Sequence, residues 1–168
     1  MLQELGRSAE AEAIIRPMLE TITRLVGPEN ARVAQALVNY SETLIDLRRF
    51  DEAEAGIQHA LSIWRDRGAS PLFEGYGLMD LGRIKLAAGA TREARDDLER
   101  SIAILEKLDA ELTAEAEFAL AQAMWATPGD RRRAIDRARH ARAQLAGKPS
   151  TDRKRQALET WLRERGQT

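Results

Sequence analysis

At 168 residues, with 26 basic and 27 acidic side chains and no cysteine, the chain is long enough for one domain with a real core, and disulfides, thiolate zinc sites and cysteine nucleophiles are excluded. Alanine, leucine, arginine and glutamate dominate, aromatic residues are sparse and only five prolines interrupt the chain, which favours an all-α fold over a sheet. No apolar run approaches the ~18 residues that span a bilayer, and Met1-Leu2-Gln3-Glu4-Leu5 is no signal peptide, so a cytoplasmic protein without a membrane partner is expected.

The near-zero net charge hides an asymmetry. Residues 1–127 carry 14 basic and 22 acidic side chains, net −8, whereas residues 128–168 carry 12 and 5, net +7. The chain is acidic first and basic last.

From Ser8 to Val26 the residues Ala11, Ile14, Ile15, Met18, Leu19, Ile22 and Leu25 recur at steps of three and four, predicting a helix with one apolar stripe, capped by Ser8 and ended by Gly27-Pro28. Pro17 lies inside it and predicts a kink. A second helix is expected over Glu29–Leu47 and a third over Asp51–Arg67, with Asp51 as its cap. After Gly68-Ala69-Ser70-Pro71 come Leu72–Ala88 and Thr91–Leu108, joined at Gly89 in a left-handed turn with Thr91 capping the second. Glu111–Ala126 and Asp130–Ala146 follow, joined by Pro128-Gly129. Gly147-Lys148-Pro149-Ser150 breaks the chain before a last helix, Thr151–Arg165, whose narrow stripe of Ala157, Leu158, Trp161 and Leu162 suits a lid over the end of a stack.

These helices repeat. Glu52-Ala53-Glu54-Ala55 returns the pattern of Glu10-Ala11-Glu12-Ala13 at an offset of 42 residues, and weaker copies follow at Glu93-Ala94 and Arg133-Ala134, after 41 and 40 more. A fixed period of this size marks an array in which each unit buries its apolar face on its neighbours.

In the third unit Leu78, Leu81-Gly82, Leu86, Gly89, Ala94, Leu98 and Ser101 fall on the pattern of the tetratricopeptide repeat, and the long period, with Leu25-Val26-Gly27-Pro28-Glu29-Asn30 between units, resembles the kinesin-light-chain variety. The second unit matches through Leu37, Tyr40, Ser41, Leu44, Phe50, Ala53, Ile57 and Ala60, with Arg48 where glycine is usual. The fourth matches through Phe118, Trp125, Gly129, Ala134, Ala138 and Ala141, with Gln122 bulky where a small residue is usual. The resemblance implies an α-solenoid of antiparallel helix pairs: a partial repeat at 1–27, repeats at 28–68, 69–109 and 110–147, and a capping helix at 150–165. It also implies close approach of Gly82 to Ala94 and of Ser41 to Ala53. The register makes Met1 to Leu5 the last turn of an otherwise missing first helix, so the array is expected to begin in mid-repeat, as a fragment of a larger protein. The last pair and closing helix are similar to the repeat-bearing C-terminal tails of some bacterial serine/threonine kinases, which points to a regulatory or signalling setting.

No catalytic constellation, metal site or cofactor site is expected. Gly75-Tyr76-Gly77-Leu78-Met79-Asp80 starts like a dinucleotide loop, but Asp80 takes the third glycine's place and no strand precedes it, so it reads as the start of a helix. His59 and His140 stand without metal-ligand spacing and read as structural. Asp51-Glu52 and Asp96-Asp97 read as a cap or a solvated face. Asn39-Tyr40-Ser41 is a chance sequon.

The resemblance implies instead a concave groove lined by the first helix of each pair. Gln35, Val38, Asn39, Glu42, Ile45 and Asp46 would come from the second unit, and Tyr76, Met79, Asp80, Arg83 and Leu86 from the third. The fourth would add Ala116, Ala119, Ala123 and Thr127. Asn39 suits contact with an extended peptide backbone. Relatives that clamp a terminal carboxylate need several Lys, Arg and Asn here; Glu42, Asp46 and Asp80 against Arg83 favour a basic or mixed apolar segment of a protein partner. Two other readings compete with this one. Arg131-Arg132-Arg133, Arg137, Arg139, Arg142 and Arg153-Lys154-Arg155 form a basic face that could meet nucleic acid, though the region has no stacking aromatic besides Trp161. The Ile14, Met18 and Ile22 stripe leaves an edge for a homodimer.

Overall fold

The computed structural model describes residues 2–147 and 151–166. Among the described residues eight α-helices follow one another: α1 Leu2–Val26, α2 Ala31–Asp46, α3 Phe50–Asp66, α4 Pro71–Ala88, α5 Thr91–Leu105, α6 Ala110–Trp125, α7 Arg131–Gln144 and α8 Asp152–Arg163. A short 3-10 turn, Pro128–Asp130, leads into α7, and no strand occurs among the described residues. Consecutive helices pack on one another from α1 through α7, and α8 lies on α7. This is the predicted all-α solenoid of antiparallel pairs.

The helix ends follow local chemistry. Asn30 accepts the amide of Arg32 at 3.0 Å, Ser70 that of Leu72 at 3.3 Å, and Asp109 those of Glu111 and Leu112 at 2.9 Å, capping α2, α4 and α6. Gly89 ends α4 at φ 85°, as its sequence position predicts. The turn between α2 and α3 needs the same left-handed residue but has Arg48 at φ 59°, a conformation that costs a side chain roughly 1–2 kcal/mol. Its guanidinium lies 5.5 Å from the Phe50 ring centroid, a partial offset.

Four expectations about local structure are corrected, the first being Thr91, which is the first residue of α5 behind an Ala90 cap position that has no side-chain cap bond. Ser8 caps nothing: α1 is continuous from Leu2, and the Ser8 hydroxyl donates to Asp46 Oδ2 at 3.3 Å. Leu2–Leu5 therefore continue α1 instead of ending a separate helix, because Gly6 is compatible with the helix and no proline follows it before Pro17. Asp51 lies within the first turn of α3, whose cap position is Arg49 without a side-chain cap bond. The helix also runs through Pro17. Of the predicted break at 147–150, only Gly147 lies among the described residues, at φ 77°.

The predicted close approaches are present. A Cβ on Gly82 would meet Leu98 Cγ at 2.4 Å and the Ala94 carbonyl at 3.1 Å, and one on Gly77 would meet Leu61 Cδ2 at 2.6 Å. The Ser41 hydroxyl lies 3.1 Å from the Ala53 carbonyl. Only small residues let α4 lie this close to both α3 and α5. The core falls in two clusters. One joins α2, α3 and α4 through residues such as Leu44, Ile57, Trp64 and Ile84, and the other runs from Met79 and Leu98 through Leu120 to Leu158, Trp161 and Leu162. Each wholly buried leucine or isoleucine contributes about 1.5–3 kcal/mol.

The lid is real. Leu158, Trp161 and Leu162 of α8 are 0%, 7% and 1% exposed. Trp161 meets Phe118 and Trp125 edge-on, each at 5.8 Å between centroids, and Arg165 lies 4.0 Å over its ring.

Candidate functional site

The first helices of successive pairs also touch each other, α2 with α4 and α4 with α6. Such spacing belongs to the inner layer of a curved stack, so the face shared by α2, α4 and α6 is the candidate groove.

Its floor is built around Tyr76 and Arg83. Arg83 donates to Asp80 Oδ1 at 3.1 Å on its own helix and reaches Glu42 Oε1 of α2 at 3.9 Å. Burial raises the Tyr76 hydroxyl above its ordinary value, and the charges of Asp80, Glu42 and Glu115 add to this against the opposing pull of Arg83. Asp80 is buried, and that burial lifts its carboxyl from 3.8 to about 7 against the opposing pull of Arg83. Asp80 Oδ2 has no hydrogen-bond partner within the protein.

Further along, Arg83, Glu115, Phe118, Gln122 and Lys154 line a pocket of about 220 Å³ where α8 meets the groove. The Lys154 ammonium donates to Glu111 at 2.6 Å and to Glu115 at 2.5 Å. Partial burial pulls Lys154 down, but these two bonds outweigh it and leave its pKa raised. The groove thus already holds a lysine of its own chain between two carboxylates.

Of the sequence-predicted site residues, Gln35, Asn39, Glu42, Asp46 and Arg83 are exposed and Tyr76 is half-buried. Gln35 donates to Asn39 Oδ1 at 3.3 Å, so the Asn39 amide keeps its own donors for another group. Val38 and Met79 are corrected: both are 1% exposed and belong to the cores, because an inner-layer helix turns one flank of its inward face onto its pair. Ala116 and Ala123 are likewise wholly buried. Glu111, Glu115 and Lys154 were missed. Glu111 and Glu115, four residues apart on one helix face, are the signal that could have found them.

The remaining expected absences and charge pairs take definite form. His140 Nδ1 lies 2.8 Å from Glu117, a buried carboxylate that also receives Gln144 at 3.0 Å. Asp97 is not a solvated face residue: Lys85 donates to it at 2.5 Å from the preceding helix. Part of the basic C-terminal face is engaged within the chain. Arg133 pairs with Asp130, Arg137 with Glu117 and Arg155 with Asp152, while Arg131 lies 5.2 Å over the Trp125 ring. No described helix is long and apolar enough to cross a membrane, and no cluster of three metal-ligating side chains occurs among the described residues.

No curated protein matches this chain. Residues 33–107 match the Tetratricopeptide repeat family model. The fold is similar to a crystal structure from Podosopora anserina of nearly identical TPR-like repeats in a protein assigned as a kinesin light chain, with a TM-score of 0.64 and 20% identity over 84% of this chain and 68% of that one. Tetratricopeptide repeats are in general scaffolds for protein–protein interaction. Residues 33–107 thus match the tetratricopeptide repeat, and the array they lie in has a fold similar to that of such repeats.

Proposed function

We propose that the chain is a non-catalytic interaction module that holds an extended, basic or mixed apolar segment of a protein partner along the face of α2, α4 and α6. The supporting observation is the charge of this face: Arg83 reaches Asp80 at 3.1 Å and Glu42 at 3.9 Å, and Lys154 holds Glu111 and Glu115, so four carboxylates stand against two cations. A segment with lysine or arginine spaced among apolar residues complements that charge, and Gln35 and Asn39 offer amides to its backbone. Lys154 on Glu111 and Glu115 is the intramolecular example of the contact. A cytoplasmic setting within a larger bacterial regulatory or signalling protein belongs to the same proposal, on the resemblance of the last pair and closing helix to kinase tails.

The test is fluorescence anisotropy with labelled peptides of matched length, one Lys/Arg-rich and one Glu-rich. The basic peptide should bind, weaken with added salt, and lose about tenfold in affinity to Glu42→Lys. Equal binding of both peptides, or indifference to Glu42→Lys, would sink the assignment.

A further inference from the structure

The open edge of α1 differs in kind from its counterparts within the array. Counting from the repeat alanine of each second helix, the residue three places on faces the first helix of the same pair. Gly56 lies against Ser41, where an added Cβ would come within 2.8 Å of the hydroxyl; Asp97 pairs with Lys85; Arg137 pairs with Glu117. The residue seven places on is small and wholly buried in every covered unit: Ala60, Ser101 and Ala141 are each 0% exposed. In α1 these two places, counted from Ala11, are Ile14 and Met18, each 64% exposed, and Leu25 farther along is 77% exposed. Beside them a groove of about 600 Å³ opens between the C-terminal half of α1 and Arg32, Ala36 and Asn39 of α2. A helix of the kind that packs inside the array needs small or charged residues opposite it. This face offers large apolar knobs.

We infer that this face takes a second copy of the chain, α1 against α1, antiparallel about a two-fold axis. Ala11, Ile14, Met18, Thr21 and Leu25 alternate steps of three and four, the spacing of a coiled-coil seam. When two such seams run antiparallel with the axis near Pro17, Ile14 layers on the partner's Met18, and Met18 on the partner's Ile14. The same register sets Glu10 beside the partner's Arg24, and Arg24 beside the partner's Glu10. Glu10 and Arg24 are both exposed and neither makes an ion pair among the described residues. One register therefore satisfies both the apolar seam and two flanking charge pairs, as an isologous interface requires. Antiparallel is also the sense in which consecutive helices of the array pack. The apolar rim of the groove is then removed from water, as an exposed patch of this kind demands.

Sedimentation equilibrium on the 168-residue chain tests this. A concentration-dependent dimer is expected. Met18→Glu, at an exposed position that leaves the circular dichroism of the helices unchanged, should weaken it at least tenfold. Glu10→Arg and Arg24→Glu should each weaken it severalfold, and the two together should restore it to within about threefold of the original. A chain that is monomeric at every concentration, as it would be if this face awaits a helix of another protein, overturns the inference. So does a dimer indifferent to Met18→Glu, or a double charge exchange no better than its single components.

Discussion

The two ends of the array face the same problem, a helix pair with one apolar face left over, and meet it in opposite ways. At the C-terminal end α8 lays Leu158, Trp161 and Leu162 over α6 and α7 and leaves them 0%, 7% and 1% exposed. Thr151 ties the start of that helix to the Leu145 carbonyl at 2.8 Å. At the N-terminal end Ile14, Met18 and Leu25 stand 64–77% exposed on α1. The difference lies in what each end was given to pack. A twelve-residue helix with a narrow stripe closes a stack, whereas a long helix with a second apolar stripe beside its buried one extends the stack or pairs it.

The comparison breaks most visibly at Trp161. Trp161→Ala should cost about 3–5 kcal/mol in urea denaturation, since it removes the ring that meets Phe118, Trp125 and Arg165. Between the ends, Gly82→Leu should cost about 1–3 kcal/mol, because even the first carbon of a side chain would stand 2.4 Å from Leu98 Cγ. Asp80 gives a pH signature of the array's middle. Its folded pKa of about 7 stands above the ordinary 3.8, so in that interval the folded state binds the extra proton. Its contribution is therefore greatest below about pH 4 and declines as pH rises towards 7; Asp80→Asn should flatten that slope in thermal melts taken across the interval. Arg48→Gly relieves a left-handed φ of 59° and should stabilise by roughly 1 kcal/mol, less whatever its stacking on Phe50 supplies. Smallest is Met18→Ala, within about 0.5 kcal/mol for the dilute chain, against the large effect at Trp161.

Much of this architecture was legible in the chain itself. Ala53, Ala94 and Ala134 mark the crossing points of the pairs, and Gly82 and Ser41 mark their close approach, because a repeat writes the same packing constraint into the same place each time. Positions whose fate depends on a neighbour were not legible. Val38 stands one residue before Asn39 and Met79 one turn after Tyr76, and only the packing of the adjoining helices decides which of them reaches the surface. Asp97 looked like half of a solvated acidic pair until Lys85 was brought across from α4. Ser8 and Asp51 have the chemistry of caps, but a helix begins where its backbone lacks partners, and both lie inside continuing turns. In the groove, Glu42, Asp80 and Arg83 were readable from register, whereas Glu115 and Lys154 meet across 39 residues of chain through the placement of α8.

Tyr76 packs against both core clusters, the one around Ile57 and the one around Leu120. The charges of Asp80, Glu42 and Glu115 also act on its hydroxyl. A segment gripping it bears on both halves of the molecule at once, so amide hydrogen exchange should slow together in α3 and in α6 when the groove is filled, whereas a partner held at either edge protects only the half it touches.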